Sequence, residues 1–417
     1  MNLHIVKKKF VSLIGVYIYR SGASPRYLSG IVIFFLYFFA GSLATLILAP
    51  VSLNRPIRIL VKRQMSERKA SFFIEEIEGT LRELGVDKKS KKAIVIGPYF
   101  SNFPNDQLSR MYGKHVFLLL SRSKIAHNVV DFIWPVLGIT RSKVKNSSEG
   151  FHQKWSSSDP IIKFDQREIS AGLEFERKLF GNDIKPFVTL SLGCKSYRDK
   201  IDVFDQRYVE RPLTIINLEP YKEVIQSLVC AGLNVVRFGT NVTEEIPVQM
   251  SSLLYDSTQN RSDFSDVWLN SRCKFVLCGT SGGWWLGAPF NTPVVMTNSP
   301  HPMGTNGKND IFIPCMPWLK EEDSFASFLW QIQNFEWSAN PSKLGQDYFG
   351  VQNSPSQIVD SVDEMLKRLS GEWYDSVEDL ELQARFKKLQ GFLPSHLRTS
   401  ARIGAKFLRE HQHLLPD

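Results

Sequence analysis

Short, wholly apolar runs bounded by turn residues alternate along most of this chain with longer segments of helical period. That alternation restricts the fold to layered α/β architecture with parallel sheets. FVTLSL (187–192), NVVRF (234–238), KFVLC (274–278) and PVVMT (293–297) read as strands buried on both faces. Between them, EPYKEVIQSLVCAG (219–232) and RSDFSDVWLNS (261–271) read as helices, which completes one Rossmann-like unit. An earlier alternation follows the charged helix RKASFFIEEIEGTLRELG. It comprises the strands AIVIG (93–97) and VFLLL (116–120) and the helix QREISAGLEFERKLFG (166–181), which ends at Gly181. NDIKP reads as a linker, and the tail from Ser354 reads as helices. The expected division is an N-terminal element over 1–60, Rossmann-like domains over 61–184 and 185–365, and C-terminal helices over 366–417.

The 417 residues carry a net charge of +9, and the excess is confined to one end. Lys7, Lys8, Lys9, Arg20, Arg26, Arg55, Arg58, Lys62, Arg63, Arg68 and Lys69 face only Glu67 within the first 70 residues. Cations gathered at one terminus suit anionic headgroups rather than a nucleic-acid groove across the fold, so nucleic acid is excluded as a partner. Between these cations, no residue from Tyr27 to Asn54 is charged. The stretch is long enough to cross a hydrocarbon core of about 30 Å, and it lacks the layout of a cleaved signal peptide. Basic residues on both flanks leave the orientation open. With Gly30, Gly41 and Pro50 as breaks, a span and a re-entrant hairpin both fit membrane contact over residues 27–53.

The five cysteines, Cys194, Cys230, Cys273, Cys278 and Cys315, form no CxxC pair and have no histidine at zinc spacing. They read as reduced, mostly buried side chains of a cytosolic body, which makes the sequons at Asn146, Asn241 and Asn260 accidental.

The chemistry concentrates at strand ends. Cys278 closes a strand, and Gly279, Thr280, Ser281, Gly282 and Gly283 follow at once. Glycines admit close backbone approach, and successive N–H groups with two hydroxyls at a helix N-terminus suit a phosphate or diphosphate. The run is neither a Walker loop nor GxGxxG. Gly193, Lys195 and Arg198 stand on the turn after Leu192, and Arg237 with Gly239 closes a third strand. In a doubly wound sheet these turns open on one edge, where Lys and Arg would neutralise a diphosphate.

RSDFSDVWL, GTSGG, VVRFG, IFIP and RIGAKFLREHQHLL, in that order, resemble a poorly characterised group of bacterial glycosyltransferases linked to surface polysaccharide. The wider likeness is to GT-B enzymes of the heptosyltransferase type and, more distantly, the protein O-fucosyltransferase type. The resemblance spans roughly residues 90–415. It implies two Rossmann-like domains facing a cleft, with 61–184 meeting the acceptor and 185–365 binding a nucleotide-sugar donor. Thr280, Ser281, Gly282 and Gly283 would hold the diphosphate, with charge from Lys195 and Arg237. Asp263 and Asp266 occupy positions where the family keeps acids, although acids in a first helical turn are also ordinary capping chemistry. Gly193 and Cys194 stand where the family carries an Arg-Asp pair, which points to a different donor or to impaired catalysis.

Sugar transfer needs a group to take the acceptor proton. Asp106, on the turn GPYFSNFPNDQLSR after AIVIG, is the first choice, with His127 and His301 as alternatives. No DxD with strand context occurs, so no metal is expected, and the nucleotide sugar is a substrate with no separate cofactor. Trp284 and Trp285 are read first as core and second as a stacking surface. The expected protein is a glycosyltransferase at the inner membrane, its body on the cytoplasmic face, acting on a glycan or lipid-linked acceptor. The alternatives are a silent sugar-binding scaffold and a sugar-nucleotide epimerase of the same architecture.

Overall fold

A computed structural model describes residues 26–52, 57–60, 93–97, 105–120, 140–142, 158–181, 185–193, 218–239, 245–258, 261–299, 307–334, 343–393 and 398–416, with positions 74, 77–79, 81–82, 242, 305 and 337. The chain divides into two units. One gathers 1–64, 89–101 and 116–143, and the other gathers 65–88, 102–115 and 144–417. The second unit therefore takes in segments on both sides of the NDIKP linker.

In the first unit the helix α1 (Arg26–Ser52) leads to a sheet of β1 (Ile57–Leu60), β2 (Ala93–Gly97), β3 (Val116–Leu120) and β4 (Thr140–Ser142). The strands are all parallel in the order β3-β2-β1-β4. AIVIG is thus the second strand of this sheet. The first is IRIL, which lies inside the segment read above as anchor. In α1 the side chains are described over residues 35–50, and among the described residues no helix is long and apolar enough to cross a membrane. Phe35, Leu36, Phe39, Leu43, Leu46 and Ile47 are exposed, and helical geometry places them within an arc of roughly 120°. Gly41 and Thr45 on the other side are buried. Ser42 and Thr45 donate their hydroxyls to the carbonyls of Phe38 and Gly41, so neither needs water.

In the second unit, helical positions 74, 77–79 and 81–82 precede the helices α2 (Asp106–Gly113) and α3 (Gln166–Phe180). Asp165 and Glu168 form a reciprocal capping box on α3, and Gly181 ends it at φ +77°. A seven-stranded sheet follows: β5 (Phe187–Ser191), β6 (Asn234–Arg237), β7 (Tyr255–Asp256), β8 (Val276–Cys278), β9 (Val294–Ser299), β10 (Ile311–Pro314) and, from the tail, a final short strand (Arg402–Ile403). Every pairing is parallel, in the order Arg402–Ile403, β10, β9, β8, β5, β6, β7. Counted from β5, this is the doubly wound order 3-2-1-4-5-6 with one strand added, and the winding reverses between β5 and β8. β5, β8 and β9 are buried throughout, as their unbroken apolar runs require. Helices α4 (Lys222–Cys230) and α5 (Asp263–Arg272) are among the crossovers, and Met316–Leu319, Ser324–Phe325 and Tyr348–Val351 form a separate small antiparallel sheet. The tail carries Pro355–Ser370 and Val377–Leu389 as helices, as expected.

Two contacts bind the earlier segments to this sheet. Gly172 of α3 meets Trp268 of α5 so closely that a Cβ would sit 2.2 Å from the indole ring. Trp268 donates Nε1–H to the buried Glu176 at 2.8 Å. The second contact is a buried guanidinium. Arg82 donates to Glu78 Oε1 at 2.7 Å, to Asn291 Oδ1 at 2.9 Å, to the Pro289 carbonyl at 3.0 Å and to Ser158 Oγ at 3.2 Å. Burial raises the Glu78 carboxyl above the usual carboxylate range, while Arg82 and the Tyr112 hydroxyl hold it down.

Candidate functional site

Ligands of doubly wound sheets sit outside the carboxyl ends of the strands where the winding reverses. Here that place is the crevice between the ends of β5 and β8, whose last residues, Ser191 and Cys278, are paired in register. Residues 192–193 and 279–283 therefore leave the sheet side by side.

The 279–283 turn differs from expectation in one respect. No α-helix follows it. Gly282–Leu286 is a single 3-10 turn, so the site has no helix macrodipole behind it. Apolar Trp284 and Leu286 are pulled into the core immediately, which prevents the straight continuation an α-helix needs. The turn instead presents its own backbone. The N–H of Gly279 is bound to the Ser191 carbonyl at 3.2 Å and that of Gly283 to Ser281 Oγ at 3.4 Å. Among the described residues nothing accepts from the N–H groups of Thr280, Ser281 and Gly282. Thr280 Oγ1 is buried with no hydrogen-bond partner among the described residues. The Thr280 hydroxyl is thus left for an acceptor brought from outside, because buried polar groups in folded proteins are otherwise paired, and the three amides beside it lie on partly or fully exposed backbone that an outside acceptor can reach.

Ser281 is differently placed. Its hydroxyl lies 2.7 Å from Ser191 Oγ and donates to the Ser191 carbonyl at 3.1 Å. Gly283 leaves room for this contact, since a Cβ there would lie 2.3 Å from Ser191 Oγ. Ser191 was not among the residues expected from sequence, where a serine ending a strand carries no signal of its own.

Arg237 ends β6, the next strand along from β5, and is largely buried, in register with Leu190 and Asp256. Gly239 follows two residues later. Lys195, Arg198, His127 and His301 lie outside the described residues. Trp284 is buried, and its ring stacks on Trp285 at 4.2 Å, in line with the core reading.

Asp263 and Asp106 meet at the N-termini of α5 and α2. Asp263 Oδ2 accepts the Asp106 N–H at 2.8 Å, and the Asp263 carbonyl accepts from the Asn105 side chain at 3.2 Å. Arg261 spans Asp263 Oδ1 at 3.2 Å and Asp266 Oδ2 at 2.7 Å. Burial pushes the Asp266 carboxyl up to about 6, with Arg261 opposing. Asp263 and Asp266 thereby act as capping and ion-pairing groups. Asp106 is exposed in the first turn of α2, behind the Asn105 cap, and belongs to the second unit. Among the described residues no group of three His, Cys, Asp or Glu is placed to hold a metal ion.

The fold and this edge define a doubly wound α/β protein with a turn of unengaged amides and one orphaned hydroxyl at its switch point. No protein-family model matches the sequence, and no curated protein matches it. Among solved structures the chain is similar to the glycosyl transferase family 9 protein of Veillonella parvula DSM 2008, at 10% identity over 76% of this chain and 98% of that one, with a TM-score of 0.45. It is also similar to the E. coli ADP-heptose LPS heptosyltransferase II, at 14% identity over 58% and 86% of the two chains and a TM-score of 0.33. A third is the dodecameric iron-containing heptosyltransferase TibC, solved with ADP-D-β-D-heptose, at 13% identity over 59% and 60% and a TM-score of 0.28.

Proposed function

We propose that this protein is a membrane-associated glycosyltransferase that moves a sugar from a nucleotide-sugar donor to a surface-polysaccharide or lipid-linked glycan acceptor. The observation that carries the reading is the set of unengaged N–H groups at 280–282 beside the orphaned Thr280 hydroxyl, at the switch point of a doubly wound sheet. The ordered motifs RSDFSDVWL, GTSGG and VVRFG support sugar transfer over other uses of such an edge. In this reading the amides and Thr280 hold the donor diphosphate, and Lys195, Arg198 and Arg237 add positive charge. The acceptor oxygen attacks the anomeric carbon, the bond from that carbon to the diphosphate breaks, and the acceptor proton passes to a base. Asp106 is the leading candidate for that base, with His127 and His301 behind it. Charge on the leaving diphosphate is met by these protein groups without a metal.

The expected result is that the detergent-solubilised full chain binds one of ADP, UDP, GDP, CDP or CMP in calorimetry without added metal. Thr280→Val then weakens that affinity about tenfold, the loss of one hydrogen bond to a charged group. Silence across the whole nucleotide series would overturn the assignment.

Membrane association is supported by the exposed apolar arc of α1 and by cations on either side of it. An anchored enzyme meets a bilayer-bound acceptor at raised effective concentration. Activated sugars are cytoplasmic, which puts the body on the inner face. In flotation assays the chain is expected to rise with vesicles containing anionic phospholipid, and Leu43→Asp with Leu46→Asp is expected to leave most of it in the dense fraction. Equal flotation of both proteins would refute the role of α1.

A further inference from the structure

Ser191 and Ser281 face each other across the switch point, one ending β5 and the other three residues past β8. Their proton arrangement follows from counting. The Ser281 hydroxyl has one proton, and it is directed at the Ser191 carbonyl 3.1 Å away. The 2.7 Å contact between the two hydroxyls is therefore donated by Ser191. Ser281 Oγ also accepts the Gly283 N–H at 3.4 Å, which fills both of its acceptor positions. The Ser191 carbonyl in turn accepts from Gly279 as well as from Ser281. Three of these bonds tie the turn to β5 and the fourth closes the turn on itself, and Ser191 is 3% exposed with its hydroxyl committed to Ser281. Thr280, lying between the tethered Gly279 and Ser281, keeps its hydroxyl and N–H unengaged among the described residues.

We infer that Ser191 is a positioning residue of this site, a latch that grips Ser281 and so aims the amides of 280–282 and the Thr280 hydroxyl at a diphosphate. The inference rests on the proposed donor site. It also divides two neighbours that look equivalent in sequence, for Thr280 touches the ligand and Ser281 holds the frame. Gly283 belongs to the frame too, since any larger residue would displace the Ser191 hydroxyl.

The test uses the full chain in detergent with inorganic pyrophosphate and with ADP, UDP, GDP and CDP as probes. Ser191→Ala and Ser281→Ala are each expected to weaken affinity about fivefold. The double variant should be no more than about twofold worse than the weaker single, because both changes remove one shared contact. Ser281→Thr, which keeps the hydroxyl, should restore affinity to within about twofold of the parent. A purely structural role would lower the unfolding temperature and leave these affinities in place, and that result overturns the latch. Binding by the parent chain together with unchanged affinity in both alanine variants overturns the latch alone and leaves the donor site standing. A parent chain that binds none of the probes overturns the donor site and the latch together.

Discussion

Replacing Arg82 by methionine is expected to cost the second unit about 3–5 kcal/mol of stability, the usual penalty for breaking a buried ion pair from one side. The Arg82 side chain is 1% exposed and that of Glu78 is fully buried, so water cannot replace what is removed. Asn291 Oδ1 and the Pro289 carbonyl lose donors in the same step. The loss depends on pH in a direction the burial of Glu78 determines. Its folded carboxyl is already raised by burial, and Arg82 is the main group restraining that rise. Without Arg82 the folded value climbs further above the unfolded one. The stability of the variant is then fullest below the unfolded value of about 4.3 and declines as pH rises through the folded value. Urea unfolding at pH 5 and pH 8 should show Arg82→Met closer to the parent at the lower pH. The pair Arg82→Met with Glu78→Leu should recover most of the loss, since no charge is then left unpaired. An Arg82→Met protein within about 1 kcal/mol of the parent at both pH values would show that the guanidinium is dispensable.

Gly172→Ala is the second large effect, and two physical terms oppose each other. Alanine is the better helix former by about 1 kcal/mol, which alone predicts stabilisation. Against this, the new methyl group would lie 2.2 Å from two indole carbons of Trp268 and 2.5 Å from a third, far inside the contact distance of about 3.5 Å. The indole has nowhere to go. It is 2% exposed, its N–H is bound to Glu176, and Phe164 packs against it edge-on at 5.0 Å. Overpacking should win, with a net loss of about 2–3 kcal/mol in chemical denaturation. Gly113→Ala provides the contrast, because nothing lies within 4 Å of a Cβ there and no loss is expected. Equal stability of the two variants would show that α3 can move away from α5 at little cost.

Much of the second sheet was legible from one dimension. Strands buried on both faces read as continuous apolar runs, and β5, β6, β8 and β9 lie where FVTLSL, NVVRF, KFVLC and PVVMT place them, shifted by one or two residues at their ends. Helix ends were equally plain where a capping residue or Gly181 marked them. IRIL was harder to see. It has only four residues, one of them Arg58, and it follows an uncharged stretch that dominates its surroundings. Parallel strands pair with neighbours far away in sequence, so no local period marks which short run joins which sheet.

The candidate site divides in the same way. The glycines and hydroxyls of 279–283 and the strand ends that present them follow from residue type and local pattern, because backbone freedom and hydrogen-bonding capacity are properties of single residues. That Ser191 grips Ser281, that Asp263 caps the helix carrying Asp106, and that Thr280 keeps its hydroxyl unengaged all depend on strand order and helix packing. The first two join positions 90 and 157 residues apart. They exist only once burial of apolar faces has brought β5 beside β8 and α2 against α5. Sequence determined which groups are able to bind an anion, and tertiary structure decided which of them remain available to do so, because a polar group satisfied by its own fold has little left to offer a ligand.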